Sequence, residues 1–294
     1  MRSAPLVSGR MVALVFAGAV AAACGSDSST QPKTVASVTV SPAKDTVQTG
    51  ETAQFTAELK DANGNVLTGQ SVTWTSSDTD AAPISASGAV AAILPGTSTI
   101  TATAGGVSNT ADLTILAGAA HQLSEGERIG DSTFAPGDGP NGGQGDPVGS
   151  VPCAADAGQP VEHRHSHLTL IANGQQIAIP LAIGVMNPIY NDTNEAFAGT
   201  CFYWLHTHDQ TGIIHVEPFE GGHTFTLGDF FDIWGQPLTA SGVAGYSGSV
   251  AAYVDGKRFT GDPRSIVLAD HQQITLEVGA PLVAPPIYTW PNGY

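Results

Sequence analysis

His163-Arg-His-Ser-His-Leu-Thr-Leu-Ile-Ala-Asn-Gly-Gln-Gln-Ile-Ala-Ile179 decides how the C-terminal half folds. Side chains on an extended chain repeat every two residues, so His163, His165, His167 and Thr169 share one face while Leu168 and Leu170 turn toward a core. Asn173-Gly174 is a two-residue turn signal, and Gln175 to Ile179 reads as the returning strand. The expectation is a β-hairpin carrying a row of histidines. Neighbours in that row have Cα atoms about 7 Å apart, and its ends are about 13 Å apart. Two neighbours can chelate one ion. Three around one tetrahedral centre would need a bent strand, so one of the three is expected to orient another ligand or to serve another ion.

A second hairpin is expected at Thr200-Cys-Phe-Tyr-Trp-Leu-His-Thr-His-Asp-Gln-Thr-Gly-Ile-Ile-His-Val-Glu217, with Asp209 to Gly212 as its loop. A four-residue loop sets His206 opposite His215 at about 5 Å and His208 opposite Ile213. Period two then places His206, His208, His215 and Glu217 on one face. Imidazole is neutral near pH 7 and offers a nitrogen lone pair, so His163, His165, His167, His206, His208 and His215 are candidate ligands for a copper or zinc ion. Glu217 is either an acceptor that orients an imidazole or a solvated carboxylate. His121, His223 and His271 stand alone and read as surface or core histidines, with His223 the nearest auxiliary.

Residues 1–23 have the features of an export signal: Arg2 and Arg10, an apolar run from Met11, and the small residues Ala21-Ala22-Ala23. With Cys24 and the polar Gly25 to Thr30 they resemble a bacterial lipoprotein signal. The resemblance implies that Cys24 is lipidated, that residues 24–33 are a tether, and that the chain sits in the cell envelope with the membrane as partner. Of the three cysteines, Cys153 and Cys201 remain. In an exported chain such a pair reads as a disulfide; the rival reading makes Cys201 a thiolate ligand beside two histidines, as at a blue-copper centre. Cys201 falls on the face opposite His206 by period two.

The formal net charge of −16 becomes about −18 once the signal's arginines are removed. Without a basic cluster to reverse it, that charge excludes nucleic acid as a partner. At 294 residues, 41% of them apolar, the chain has room for two domains. Residues 118–150, rich in Gly, Pro and Asp, are read as a linker between a domain at 34–117 and another at 151–294.

In the first domain, short Thr- and Val-rich runs alternate in polarity: Ser37 to Val40, Thr52 to Leu59, Ser71 to Thr75 and Thr97 to Thr103. Turn signals at Asn63-Gly64, Ser87-Gly88 and Pro95-Gly96 separate them, as in a β-sandwich. Val38-Thr-Val-Ser-Pro42, Thr49-Gly50-Glu51, Val72-Thr-Trp-Thr-Ser-Ser-Asp78, Gly96-Thr97 and Ala111-Asp-Leu-Thr-Ile115 resemble the bacterial Ig-like group 2 family. The resemblance implies a surface spacer or adhesion module that can meet a surface ligand, with Trp74 as core anchor.

In the second domain, Gly199 to His208 with Gln210 and Gly212 is similar to a histidine stretch of multicopper oxidases. The wider pattern resembles an exported prokaryotic family of undefined activity: His-x-His-x-His-Leu, Trp-Leu-His-Thr-His-Asp, Gly-Ile-Ile-His-x-Glu and Phe225 to Leu238. Phe225 to Trp234 is expected as a short helix or bent strand whose Phe230, Phe231 and Trp234 fill the core or, less in keeping with their packing value, line a ligand box. Val250 to Thr260 reads as strand, Asp255-Gly256 turn and strand, and Ser265 to Val278 as two more strands. No Ser-His-Asp order, P-loop or dinucleotide fingerprint is present. The fold expected is all-β: an Ig-like β-sandwich followed by a second, cupredoxin-like or related β-sandwich. The function expected is a lipid-anchored envelope protein presenting a metal-binding domain. The alternatives are a copper-dependent oxidoreductase and a surface adhesion or structural protein with a structural metal, so enzymatic activity stays open.

Overall fold

The computed structural model describes residues 34–131, 134, 142–155 and 159–294. The export signal, Cys24 and the tether lie outside the described residues.

Eight strands make the first module: β1 (Ser37–Ser41), β2 (Lys44–Gln48), β3 (Thr52–Gln54), β4 (Thr56–Lys60), β5 (Thr73–Ser76), β6 (Ala89–Ala91), β7 (Gly96–Ala104) and β8 (Val107–Leu116). Alternation gives each strand one inward face, as in β1, where Val38 and Val40 are buried between exposed neighbours. A four-stranded sheet in the order β2-β8-β7-β5 and the pairs β1-β4 and β3-β6 enclose one core. Its centre is Phe55, Val90, Ile100 and Leu113, each with no exposed surface. The expected anchor, Trp74, is only partly buried and packs at the edge of that core. Its indole lies against the Gly88 turn, where a Cβ would stand 3.2 Å from the ring and collide with the Phe55 carbonyl. Gly88, at φ 82°, is therefore tied to glycine on both steric and conformational grounds. Pro95-Gly96 leads into β7, and the tight turn between β7 and β8 is made by Gly105-Gly106.

The second module holds β9 (His121–Gln122), β10 (Cys153–Ala154), β11 (Arg164–Ala172), β12 (Gln175–Ile177), β13 (Val185–Met186), β14 (Cys201–Tyr203), β15 (Leu205–His206), β16 (Ile213–Val216), α1 (Leu227–Trp234), β17 (Val250–Val254), β18 (Lys257–Phe259), β19 (Gln272–Val278) and β20 (Tyr288–Thr289), with some shorter pairings between them. A seven-stranded sheet runs β15-β16-β11-β19-β17-β18, with β12 also on β11. Asn173 and Gly174 both take positive φ in the two-residue turn joining β11 to β12. The β11-β19 pair is parallel, and β16, β12 and β17 join antiparallel.

Period two splits this sheet into unlike faces. Leu168, Leu170, Ile214, Val216, Ile274 and Leu276 meet α1 in the main core. Thr226 caps α1 through a reciprocal pair with Asp229, and Gly235 ends it in the left-handed region. Phe230, Phe231 and Trp234 are buried in that core, which favours packing over a ligand box. The opposite face carries His165, His167, Thr169, His215, Thr275 and Glu277, also buried.

The structure differs from two of these expectations. Residues 118–131 are no free linker: β9 pairs in parallel with β20, Ile129 donates to the Gln210 carbonyl, and Leu123 packs on Ile213 and Tyr288. Between Ser265 and Val278 there is one strand, β19, because Asp262 caps a short 3-10 turn at Pro263–Ser265 and the chain then runs irregularly. No sheet closes into a barrel among the described residues; the main sheet's apolar face is covered by α1 and by the small sheet β10-β14-β13.

Candidate metal centre

The hairpin from β15 to β16 brings His206 directly opposite His215, and the next strand pairs His215 with His165. One row of imidazoles, His206-His215-His165, thus crosses three adjacent strands on the polar face. β15 ends at His206, so His208 lies in the bend beyond it rather than opposite Ile213. His163 lies just before β11, with 52% of its side chain exposed.

Two backbone carbonyls fix the His206-Thr-His208 unit. His206 Nδ1 is 2.9 Å from the Tyr203 carbonyl, and His208 Nδ1 meets the Ala196 carbonyl. A carbonyl only accepts, so each Nδ1 carries the proton, and each neutral ring keeps its lone pair on Nε2. Those two Nε2 atoms face one another at 3.2 Å. Metal–nitrogen bonds of about 2.0–2.1 Å at a tetrahedral angle separate two ligand nitrogens by about 3.3 Å. Thr207, on the other side of the strand, accepts from Ile183 N and donates to the Pro180 carbonyl, which locks the unit's position. Gly184 makes the close approach possible, since a Cβ there would stand 3.2 Å from His206 Cβ.

The ligand atoms of His206, His208, His215 and Glu217 lie within 4.8 Å of one another, and so do those of His163, His165 and His215. Glu217 Oε1 is 2.9 Å from His163 Nε2 and 3.4 Å from His215 Nδ1. The carboxylate is therefore part of the cluster. Burial strips water from the rings and holds His206 and His215 well below the usual imidazole range, with neighbouring imidazoles adding to the effect. Burial and His163 bring His165 down to about 4. Neutral rings are the form that binds a metal.

His167 stands apart from both groups. Its Nε2 donates to the Thr211 carbonyl at 2.8 Å, and its ring packs on Tyr288 at 4.3 Å between centroids. Burial lowers it to about 4. His121 pairs with Glu127, His271 with Asp270 and the Tyr294 carbonyl, and His223 stacks on Phe225. Cys153 and Cys201 form a disulfide. Its sulfur is thereby withdrawn from the blue-copper role, and it ties β10 to β14, the strand whose Tyr203 carbonyl holds His206.

Residues 34–115 match the bacterial Ig-like domain (group 2) family. The first module is Ig-like. No curated protein matches the chain. Among solved structures, domains 4 and 5 of the S-layer protein SbsC share 28% identity over 28% of this chain and 52% of that one, with a TM-score of 0.26. SbsC domains 1–6 share 29% identity over 31% of this chain and 14% of that one, with a TM-score of 0.27. The Yersinia pseudotuberculosis adhesin InvE shares 16% identity over 62% of this chain and 51% of that one, with a TM-score of 0.23. The chain thus spans about half or less of the length of these proteins.

Beside the His206 and His208 rings a cleft of about 190 Å³ opens, lined by Phe197, Phe202, Tyr203, Phe219 and Glu217 among others. A cavity of about 150 Å³ accommodates benzene, so the cleft has room for water or a small molecule. Ala81, Ile93 and Leu94 of the Ig-like module pack on Ala251 and Tyr253, far along the sheet from the histidine row. The carbonyls of Tyr203 and Ala196, and the roles of Thr207 and Gly184, carry no signal in the sequence, because each acts through backbone position.

Proposed function

We propose that this chain is an exported cell-envelope protein, held to a membrane by lipid on Cys24, whose Ig-like module carries a β module that binds a transition-metal ion. His206, His208 and His215 supply nitrogen and Glu217 an oxygen. The observation carrying this reading is the facing pair of Nε2 lone pairs at 3.2 Å, each fixed by a carbonyl on its other nitrogen. Imidazole suits both copper and zinc. The Cys153–Cys201 disulfide suits an oxidising, extracytoplasmic compartment, and the Ig-like match suits a surface role.

Two readings of what the ion does each have an observation in their favour. Ligands on β15, β16 and the loops beside them would cross-link the sheet's edge, which supports a surface adhesion or structural protein with a structural metal. The cleft against His206 and His208 supports a copper-dependent oxidoreductase with an open coordination position, and a cupredoxin-like fold would belong to that reading. Full-length protein prepared metal-free, loaded with Zn(II) or Cu(II), desalted and measured by elemental mass spectrometry tests the site itself. Replacing His206 and His208 together by alanine is expected to remove the ion they hold, and unchanged metal content in a folded double variant refutes it. Redox cycling of the copper form then separates the two readings.

A further inference from the structure

His215 is the middle of the row, and its surroundings differ from those of its neighbours. His167, His206 and His208 each donate one ring N–H to a backbone carbonyl. Among the described residues His215 faces only side chains: Nδ1 is 3.5 Å from His163 Nε2 and 3.4 Å from Glu217 Oε1. Its ring stands edge-on to His208 on one side, with centroids 4.4 Å apart, and edge-on to His165 on the other, at 4.6 Å. His206 and His165 lie on the strands flanking it, so their Cα atoms are about 10 Å apart. Among the described residues no group of ligand atoms lying within 4.8 Å of one another holds both. The two ligand groups share His215 and touch again where Glu217 Oε1 lies 2.9 Å from His163 Nε2.

We propose, building on the transition-metal reading above, that the module holds two divalent ions, one on each side of the His215 imidazole. The inner ion takes His206 and His208, the outer takes His163 and His165, and the Glu217 carboxylate, grouped with the first pair and with Oε1 2.9 Å from His163 Nε2, reaches both. His215 serves both ions, one nitrogen to each. To do so its neutral ring releases the remaining N–H proton to solvent, leaving an imidazolate whose two lone pairs bind the two ions. The outer position is reached from solvent through His163, whose side chain is half exposed. The Tyr294 ring, 4.6 Å from His165, covers its other side.

The test is metal stoichiometry on the full chain, with Zn(II) and with Cu(II) separately, supported by copper spin counting. The wild type is expected to hold two equivalents, with fewer copper spins than copper ions because a shared imidazolate couples them. His163→Ala is expected to hold one equivalent with every spin visible. His163→Asn, at the same half-exposed position, gives the same readout should the alanine variant fold poorly. One equivalent in the wild type, unaltered by His163→Ala but lost on replacing His206 and His208, overturns the two-ion arrangement and leaves the single-ion reading standing. Absence of any stoichiometric binding overturns both.

Discussion

Acidification offers a quantitative test of the buried imidazoles. A histidine at its ordinary value of 6.5 is about tenfold protonated at pH 5.5, and each such ligand costs an ion about a tenfold loss of affinity relative to pH 7.5. Three solution-like imidazoles would therefore lose about a thousandfold. Burial holds His206 and His215 well below that range, so both resist protonation at mildly acid pH and add little to the loss. The expected fall is therefore far short of a thousandfold. Folding must be followed in parallel, because the same burial acts on stability with a definite sign. His167 titrates at about 4 in the folded protein and near 6.5 unfolded, so the unfolded chain takes up the proton first. Its contribution is complete above pH 6.5 and is lost as pH falls toward 4: about 1.4 kcal/mol by pH 5.5 and about 3 kcal/mol by pH 4. Zn(II) competition against a chelator of known pH dependence, with circular dichroism on the same samples, gives both numbers. A thousandfold loss of affinity at pH 5.5 in protein that is still folded would refute the neutral, buried ligand set.

Three other outcomes follow from the same geometry. His167→Gln should leave metal content unchanged, since an amide can still donate to the Thr211 carbonyl, while flattening the stability-versus-pH curve between pH 6.5 and 4; loss of metal would place His167 in the site. Glu277 is raised to about 7 by burial, so the folded state binds its proton more tightly than the unfolded and stability declines as pH rises from about 4.5 to 7. Glu277→Gln should raise stability at pH 8 by up to about 3 kcal/mol and leave pH 4.5 unaltered, as read by thermal melts at the two pH values. Replacing Cys153 and Cys201 by serine opens a loop of 48 residues, which should cost about 4 kcal/mol in urea unfolding and weaken metal binding through the Tyr203 strand; equal affinity in the two forms would show that β14 holds its place unaided.

The histidine cluster was legible because period two and tight turns are local rules. Asn173-Gly174 fixes the β11-β12 hairpin, and the short loop after His208 fixes His206 opposite His215. That His165 pairs with His215 was not legible, since which hairpins lie side by side is settled by tertiary packing. The same limit applies to His167. Its face was predicted, but whether it met the cluster or the Thr211 carbonyl depended on where that turn runs. Residues 118–131 read as linker because they lead into a Gly- and Pro-rich stretch, and glycines announce turns while saying nothing about what the backbone between them bonds to. Trp74 was overvalued for its area, when Phe55 sits nearer the axis of the sandwich.

The polar face of the seven-stranded sheet also explains why the cluster suits a cation better than it suits plain packing. Buried polar atoms are costly unless each finds a complementary partner. Thr207 meets that condition, accepting on one side and donating on the other. The imidazoles meet it by half: one N–H of His206 and one of His208 are answered by carbonyls, and the remaining nitrogens face each other as lone pair against lone pair. A proton placed between them would make a buried imidazolium, the form that burial of His206 disfavours. A metal ion answers several lone pairs at once and brings Glu217 as partial counter-charge. Ile213 and Thr275, on the same face, show what the sheet uses where only packing or a simple hydroxyl is required. The ligation proposed above would account for histidines in a continuous row across β15, β16 and β11; stability of the sheet alone gives no reason for them.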